Sequence, residues 1–313
     1  MAPRVAERLI DLIGETPLLR LSALEPHAGA QLWAKLEYLN PGGSVKDRAA
    51  LGLIVEAERQ GRLKPGWVII EPTAGNTGIG LALIGRQRGY RIILVVPANF
   101  SREKLTLMQA LGGEIVITSE EAGIRGAIDR AKELAASMPN AYVPQQFENP
   151  ANPQIHYDTT AVELWEQTGG RVDAIVMGAG TGGTFSGVIR RFREQGAVFR
   201  AVLVEPQGSV WGGGPEGPHR VEGIGGSYWP GALDRSLIDE IITVPDEPAF
   251  ATARALAREC GILSGGSGGA AVHAAIRVAS RMGQDQRVVT LIPDSAERYL
   301  SKGIYEMSTD PRS

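Results

Sequence analysis

The residues able to do chemistry lie in a few glycine-rich segments of a 313-residue chain. Lys46 stands in PGGSVKDR (41–48), just inside an expected helix start with Ser44 as candidate N-cap. At the positive end of a helix dipole an ammonium is disfavoured, so part of the lysine is present as free amine, the form that adds to a carbonyl as a Schiff base. A solvated surface lysine would look the same in sequence. Thr73, Ala74, Gly75, Asn76 and Thr77 follow an apolar run and enter a helix. Their hydroxyls, carboxamide and free N–H groups suit a carboxylate, although an ordinary N-cap would use some of the same residues.

Gly178-Ala179-Gly180-Thr181-Gly182-Gly183 formally matches G-x-G-x-x-G between a strand and a helix, and Glu205 ends the next strand. The pattern reads either as a dinucleotide site or as a pocket for a single phosphate, since both use glycine N–H groups at a helix N-terminus. Thr181 and Thr184 add hydroxyls suited to a phosphate monoester. Residues 265–269, GGSGG, contain G-x-S-x-G around Ser267. The only later histidine, His273, is six residues on, with Asp285 and Asp294 behind it, the wrong order for a hydrolase built on that motif. Ser267 is left as a helix cap or as a hydroxyl offered to a ligand.

These segments need a scaffold, and the chain alternates apolar runs with helical patterns. Strands are expected at 31–38, 67–72, 91–97, 114–118, 174–178, 201–206, 241–244 and 288–293, and helices at 45–60, 101–111, 124–137, 184–194, 248–259 and 270–282. Such alternation predicts βαβ units in doubly wound, mainly parallel sheets, with ligands at the strand ends where the glycines cluster. The prolines of PQQFENPANP (144–153) interrupt both patterns and mark a boundary. The run Gly212–Gly214 reads as a mobile surface loop.

Composition narrows the function class. Glycine is about twice its usual share at 40 residues, 17 of them in five clusters. A net charge of −3 gives no basic surplus for nucleic acid or an anionic membrane. One cysteine, Cys260, and four scattered histidines offer neither a disulfide framework nor a zinc-ligand spacing, so no metal is expected. The absence of a secretory leader pattern or an apolar run of membrane-spanning length points to a cytoplasmic protein.

Taken together, IGETPL (13–18), PGGSVKDR, EPTAGNTGIGLA, QQFENPANPQIHYDTT, GTGGTFSG, VEGIG, GGSGG and PDSAERYLS resemble, in order, the cysteine synthase and cystathionine β-synthase family of fold-type II pyridoxal phosphate enzymes. The resemblance implies two doubly wound α/β domains of the tryptophan synthase β-like type. One would span 1–147, with a mobile part at roughly 90–136 and its first 40 or so residues packed on the second; the other, 148–313, would carry the phosphate loop. It further implies that Lys46 carries the cofactor and acts as base. Asn76 would meet the cofactor's ring oxygen, Gly180, Thr181, Gly182, Gly183 and Thr184 would hold its phosphate, and Ser267 would face its pyridine nitrogen, with Asp294 nearby. Thr73, Ala74, Gly75, Thr77, Gln146 and Gly223 would bind substrate.

The reaction so implied is β-replacement on O-acetyl-L-serine, with L-serine as a further donor and sulfide or homocysteine as acceptor, in a homodimer. Asp158, Ala161, Glu222, the GGSGG spelling and Asp294 lean toward the cystathionine branch, whereas Phe147 and Gly226 lean away from it. Ala74 stands where the family usually has serine, which favours O-acetylserine over serine because hydroxide leaves only with well-placed proton donation. The alternatives are a serine/threonine dehydratase and a nicotinamide-dinucleotide oxidoreductase built on residues 178–183 and Glu205.

Overall fold

The computed structural model describes residues 5–98 and 101–306. Residues 99 and 100, inside the segment expected to move, and both chain ends lie outside the described residues. The strands are β1 (Leu18–Arg20), β2 (Gln31–Leu36), β3 (Val68–Pro72), β4 (Arg91–Pro97), β5 (Glu114–Thr118), β6 (Ala141–Tyr142), β7 (Ala174–Gly178), β8 (Arg200–Pro206), β9 (Glu240–Val244) and β10 (Arg287–Ile292). The α-helices are α1 (Lys46–Arg59), α2 (Asn76–Gln87), α3 (Arg102–Ala110), α4 (Gly123–Ala136), α5 (Ala151–Ile155), α6 (Ala161–Thr168), α7 (Gly183–Glu194), α8 (Asp246–Cys260) and α9 (Gly266–Ala279), and a π-helical turn, His156–Thr160, joins α5 to α6.

Two sheets form. One is all parallel, in the order β5-β4-β3-β6; the other runs β1-β2-β10-β7-β8-β9 and is parallel except for β1 against β2. Both are doubly wound, as alternate residues of single strands show. Ile69, Ile92 and Leu94 pack on the α1 and α2 side, whereas Val68, Ile70 and Ile93 pack against Ala127 and Ala131 of α4. In the larger sheet Val202 and Val204 face α8 and α9, while Ala201 and Leu203 face Phe185 and Phe192 of α7. Burial on both faces is why these strands read as continuous apolar runs.

The expected elements end within four residues of those observed, and 91–97, 114–118 and 174–178 coincide with β4, β5 and β7. The strands β1 and β6 are additional, being only three and two residues long and therefore without a readable period, and so are α5, the π-turn and α6. The prolines at 144–153 do not hold the chain out of helix for that whole span, because Pro153 falls in the first turn of α5, where no intrahelical donor is required. Residues Gly212–Gly214 are tethered at their start: the N–H groups of Trp211 and Gly212 donate to the buried Glu205 carboxylate at 3.0 and 2.9 Å.

A buried ion-pair network ties the start of the chain to both parts of the fold. The Arg48 guanidinium, 1% exposed, donates to both Glu37 oxygens at 2.8 and 2.9 Å and to both Glu163 oxygens at 2.6 and 2.7 Å. Lys35 Nζ donates to Glu163 at 2.6 Å and to the Thr16 carbonyl at 2.6 Å, and the Thr16 hydroxyl donates to Glu37 at 2.6 Å. Burial would raise the Glu163 pKa, but Arg48 and Lys35 hold it down at about 2. Removing one partner from such a cluster leaves a bare buried charge. Arg48→Ala should therefore lower unfolding stability by about 3–5 kcal/mol in urea titration, and an unchanged midpoint would refute this role.

Candidate active site

A cavity of about 540 Å³ opens between the sheets at the carboxyl ends of β3, β7 and β10. That volume suits a cofactor with a small substrate. Four helices begin at or beside it, α1, α2, α7 and α9, so their positive dipole ends converge there. Lys46 is the first residue of α1, and its N–H donates to the Ser44 hydroxyl at 3.2 Å, so Ser44 caps the turn from one residue earlier. Burial pushes the Lys46 amine below its ordinary pKa, opposed by the Asp294 carboxylate.

On one side of the cavity stand Thr73, Gly75, Asn76 and Thr77 with Gln146. Thr77 donates its hydroxyl to Gln146 Oε1 at 2.6 Å, and the N–H groups of Gln145 and Gln146 donate to the buried Glu71 at 3.1 and 3.2 Å. Ala74 does not line the cavity; its methyl is buried in the core of the four-stranded sheet. On the opposite side stand Gly180, Thr181, Gly182, Thr184 and Gly223, together with Ser267 in the first turn of α9, behind its N-cap Gly265. Asp294 completes the wall and accepts from Asn76 Nδ2 at 2.6 Å.

The glycine loop is shaped by a close approach. A Cβ on Gly180 would fall 2.4 Å from the carbonyl oxygen of Gly223, which itself has φ +88°. Two loops can therefore meet only as bare backbone. Gly183 turns away from the cavity: a Cβ there would strike Asn152. Asn152 in turn donates to the Gln146 carbonyl at 2.8 Å and the Thr181 hydroxyl at 2.9 Å, coupling the two walls.

Several residues of the site carry no sequence pattern of their own. His156 projects from the π-turn, buried, with Nδ1 2.9 Å from the Thr160 hydroxyl and Nε2 3.2 Å from that of Thr184. Burial holds its pKa well below the ordinary value, so it is neutral and can accept at one nitrogen while donating at the other. Lys104 of α3 donates to Glu222 at 2.7 Å across the cavity mouth and lies 4.2 Å over the Tyr299 ring. His156, Asn152, Glu71 and Glu222 fall inside the quoted segments QQFENPANPQIHYDTT, EPTAGNTGIGLA and VEGIG, which was the available signal; Lys104 is recognisable only by what it touches.

The geometry also weighs the alternatives. Glu205, the acid that a dinucleotide would need for its ribose, is fully buried and accepts from Trp211 N–H, Gly212 N–H and the Thr243 hydroxyl. It is not available to a ligand. His273, the histidine that follows Ser267 in the chain, pairs with Thr252 at 3.3 Å, and His219, which lines the cavity, has Nδ1 2.8 Å from the Val221 carbonyl. Arg220 does not line the cavity; its guanidinium stacks 4.9 Å from the Phe250 ring.

Residues 9–294 match the family described as pyridoxal-phosphate dependent enzymes. The chain belongs to that family. It is 47% identical over 306 residues to a probable cysteine synthase of Bacillus subtilis (strain 168), covering 96% of this chain and 98% of the relative. It is 46% identical over 298 residues to an O-acetylserine dependent cystathionine beta-synthase of the same strain, covering 95% and 97%. The crystal structure of O-acetylserine dependent cystathionine beta-synthase from Helicobacter pylori superposes with a TM-score of 0.92 at 44% identity, covering 97% of this chain and all of that one. The protein is thus a pyridoxal-phosphate dependent enzyme of fold-type II architecture, and the dehydratase and dinucleotide readings are not favoured. No helix among the described residues is long and apolar enough to cross a membrane.

The site's residues fit this cofactor: a tight glycine loop at a helix N-terminus for the phosphate, and a desolvated lysine in the same cavity. The wall that holds Gln146 has a pH signature. Burial raises the Glu71 pKa from 4.5 to about 7. Between those values the folded chain keeps a proton that the unfolded chain releases, so this contribution to stability is complete below pH 4.5 and is lost as pH rises through about 7. Glu71→Gln, neutral throughout, should flatten that part of the unfolding free energy measured by denaturant titration across the same window; an unaltered slope would contradict the assignment.

Proposed function

We propose that the protein catalyses β-replacement on O-acetyl-L-serine, with sulfide as acceptor to give L-cysteine and homocysteine as a second acceptor to give cystathionine. The observation that carries the reading is the convergence, in one cavity, of the Lys46 amine, the Gly180–Thr184 loop and the Thr73–Thr77 turn with Gln146. The relatives' names, cysteine synthase and O-acetylserine dependent cystathionine beta-synthase, support the donor and both acceptors. Pyridoxal phosphate, when bound, supplies the electron-withdrawing ring that weakens the donor's Cα–H bond.

The chain's own residues then have separable tasks. The N–H groups and hydroxyls of Gly180, Thr181, Gly182 and Thr184 hold the phosphate, and Gly183 shapes that loop from behind the cavity wall. Ser267 meets the pyridine nitrogen, and Asn76, braced by Asp294, meets the ring oxygen. Thr73, Gly75, Thr77 and Gln146 grip the donor's α-carboxylate, and Gly223 leaves room on the facing wall. Lys46 Nζ, kept partly as free amine by burial, takes the Cα proton as general base. Acetate departs from Cβ, the thiol bonds to the same carbon through sulfur as its proton is released with the acetate, and Lys46 Nζ returns its proton to Cα.

We read the chain as two units, 1–147 and 148–313, with a segment at roughly 90–136 that closes over the bound carboxylate and excludes water. Lys104 and Ile124, both in that segment, line the cavity, which supports this. A homodimer is part of the same reading.

The deciding experiment supplies O-acetylserine with sulfide and homocysteine together and measures products by mass spectrometry. Cysteine and cystathionine are expected; keto acid released at full rate without thiol would overturn the reading. Lys46→Ala should reduce kcat by on the order of 10²–10⁴-fold for loss of the general base alone. Borohydride reduction followed by peptide mapping should mark Lys46 in the wild type.

A further inference from the structure

Arg298 has no role in the reaction as set out above, yet its guanidinium reaches Asn76 from behind the cavity wall. It is buried, with Nη1 donating to Asn76 Oδ1 at 2.5 Å and Nη2 to the Gly42 carbonyl. Asn76 Nδ2 donates in turn to Asp294 Oδ2, an oxygen that also accepts the Tyr299 hydroxyl. A carboxamide held by a donor on its oxygen and an acceptor on its nitrogen has a single favourable orientation. Flipped, it would set N–H against the guanidinium and oxygen against the carboxylate. The grip uses one Nδ2 hydrogen and leaves the other for the cavity that Asn76 lines.

The same guanidinium shapes the loop ahead of the reactive lysine. Gly43 has φ +76°, and a Cβ there would lie 2.6 Å from Arg298 Nη2. The Gly42 residue is held from both sides, its N–H donating to Asp47 Oδ2 and its carbonyl accepting from Arg298. Three residues after Gly43, Lys46 begins α1. One side chain from the last part of the chain thus joins the loop before Lys46 to the first residue of α2.

We propose that Arg298 is a positioning residue: it fixes the carboxamide of Asn76 toward the ring oxygen of pyridoxal phosphate and seats the Gly42–Gly43 loop that presents Lys46. The proposal rests on the functional reading above for what Asn76 meets.

The test strips cofactor from the wild type and from Asn76→Ala, Arg298→Lys, Arg298→Met and the Asn76→Ala/Arg298→Met double variant. Each is titrated with pyridoxal phosphate while the absorption spectrum of the bound form is recorded. Arg298→Met should weaken binding about tenfold, as expected for loss of a charged donor, and should shift the absorption band in the same direction as Asn76→Ala. The double variant should shift it no further, because both changes remove one interaction. Arg298→Lys, which keeps one donor, should fall between. Should Arg298→Met fail to fold, Arg298→Lys alone and combined with Asn76→Ala carries the same comparison. Additive shifts, or an unshifted band with only a lower melting temperature, would overturn the assignment. Wild-type β-replacement measured in parallel separates that outcome from failure of the functional reading, which would appear as a wild type with no turnover.

Discussion

Everything in the site hangs on a buried guanidinium. Arg48 lies two residues beyond the reactive lysine, and burying it requires two carboxylates, which come from Glu37 just after β2 and from Glu163 in α6. Glu37 is 11 residues before Arg48 and Glu163 is 115 after it, so satisfying one charge fixes α1 against the end of β2 and against the helix that follows the π-turn. Lys35, Thr16 and the N–H of Glu15 close the same network, giving the opening segment IGETPL a structural purpose. Lys46 is therefore presented from a helix whose position is set by charge pairing with parts of the chain it does not adjoin.

The second constraint is the parallel sheet. Two strands that end at the cavity, β3 and β7, each lead through a turn into a helix N-terminus, and α1 and α9 also begin there, so N–H groups without intrahelical partners and positive dipole ends accumulate at one place. An environment of that kind favours bound anions and disfavours an ammonium, and both effects suit the chemistry proposed. Phosphate and carboxylate would meet helix ends on opposite walls, and the lysine between them is depressed from its ordinary pKa by burial. The walls are not independent, because Asn152 bonds to the Gln146 carbonyl on one side and to Thr181 on the other.

Much of this was legible in the sequence for identifiable reasons. Strands buried on both faces, such as β4 and β8, are continuous apolar runs, and glycine is conspicuous wherever backbone must approach backbone, as at Gly180 beside Gly223. What misled was local chemistry read without its surroundings. Pro153 looks like a break but sits in a first helical turn, and Glu205 looks like a ribose ligand but is consumed by Trp211, Gly212 and Thr243. Ala74 sits among candidate ligands in sequence while its methyl packs into the core.

By itself, then, the sequence determined the alternation of strands and helices, the two mainly parallel sheets and the family, because periodicity and glycine-rich turns are local and the motifs recur in a fixed order. Only the tertiary structure decided that β2 lies beside β10, that Arg48 is shared by Glu37 and Glu163, and that Asn76 is gripped between Asp294 and Arg298. Those pairings join residues more than two hundred positions apart in two of the three cases. Their reason is electrostatic and steric: buried polar groups must find partners wherever the fold brings one within hydrogen-bond reach, and no spacing along the chain records that.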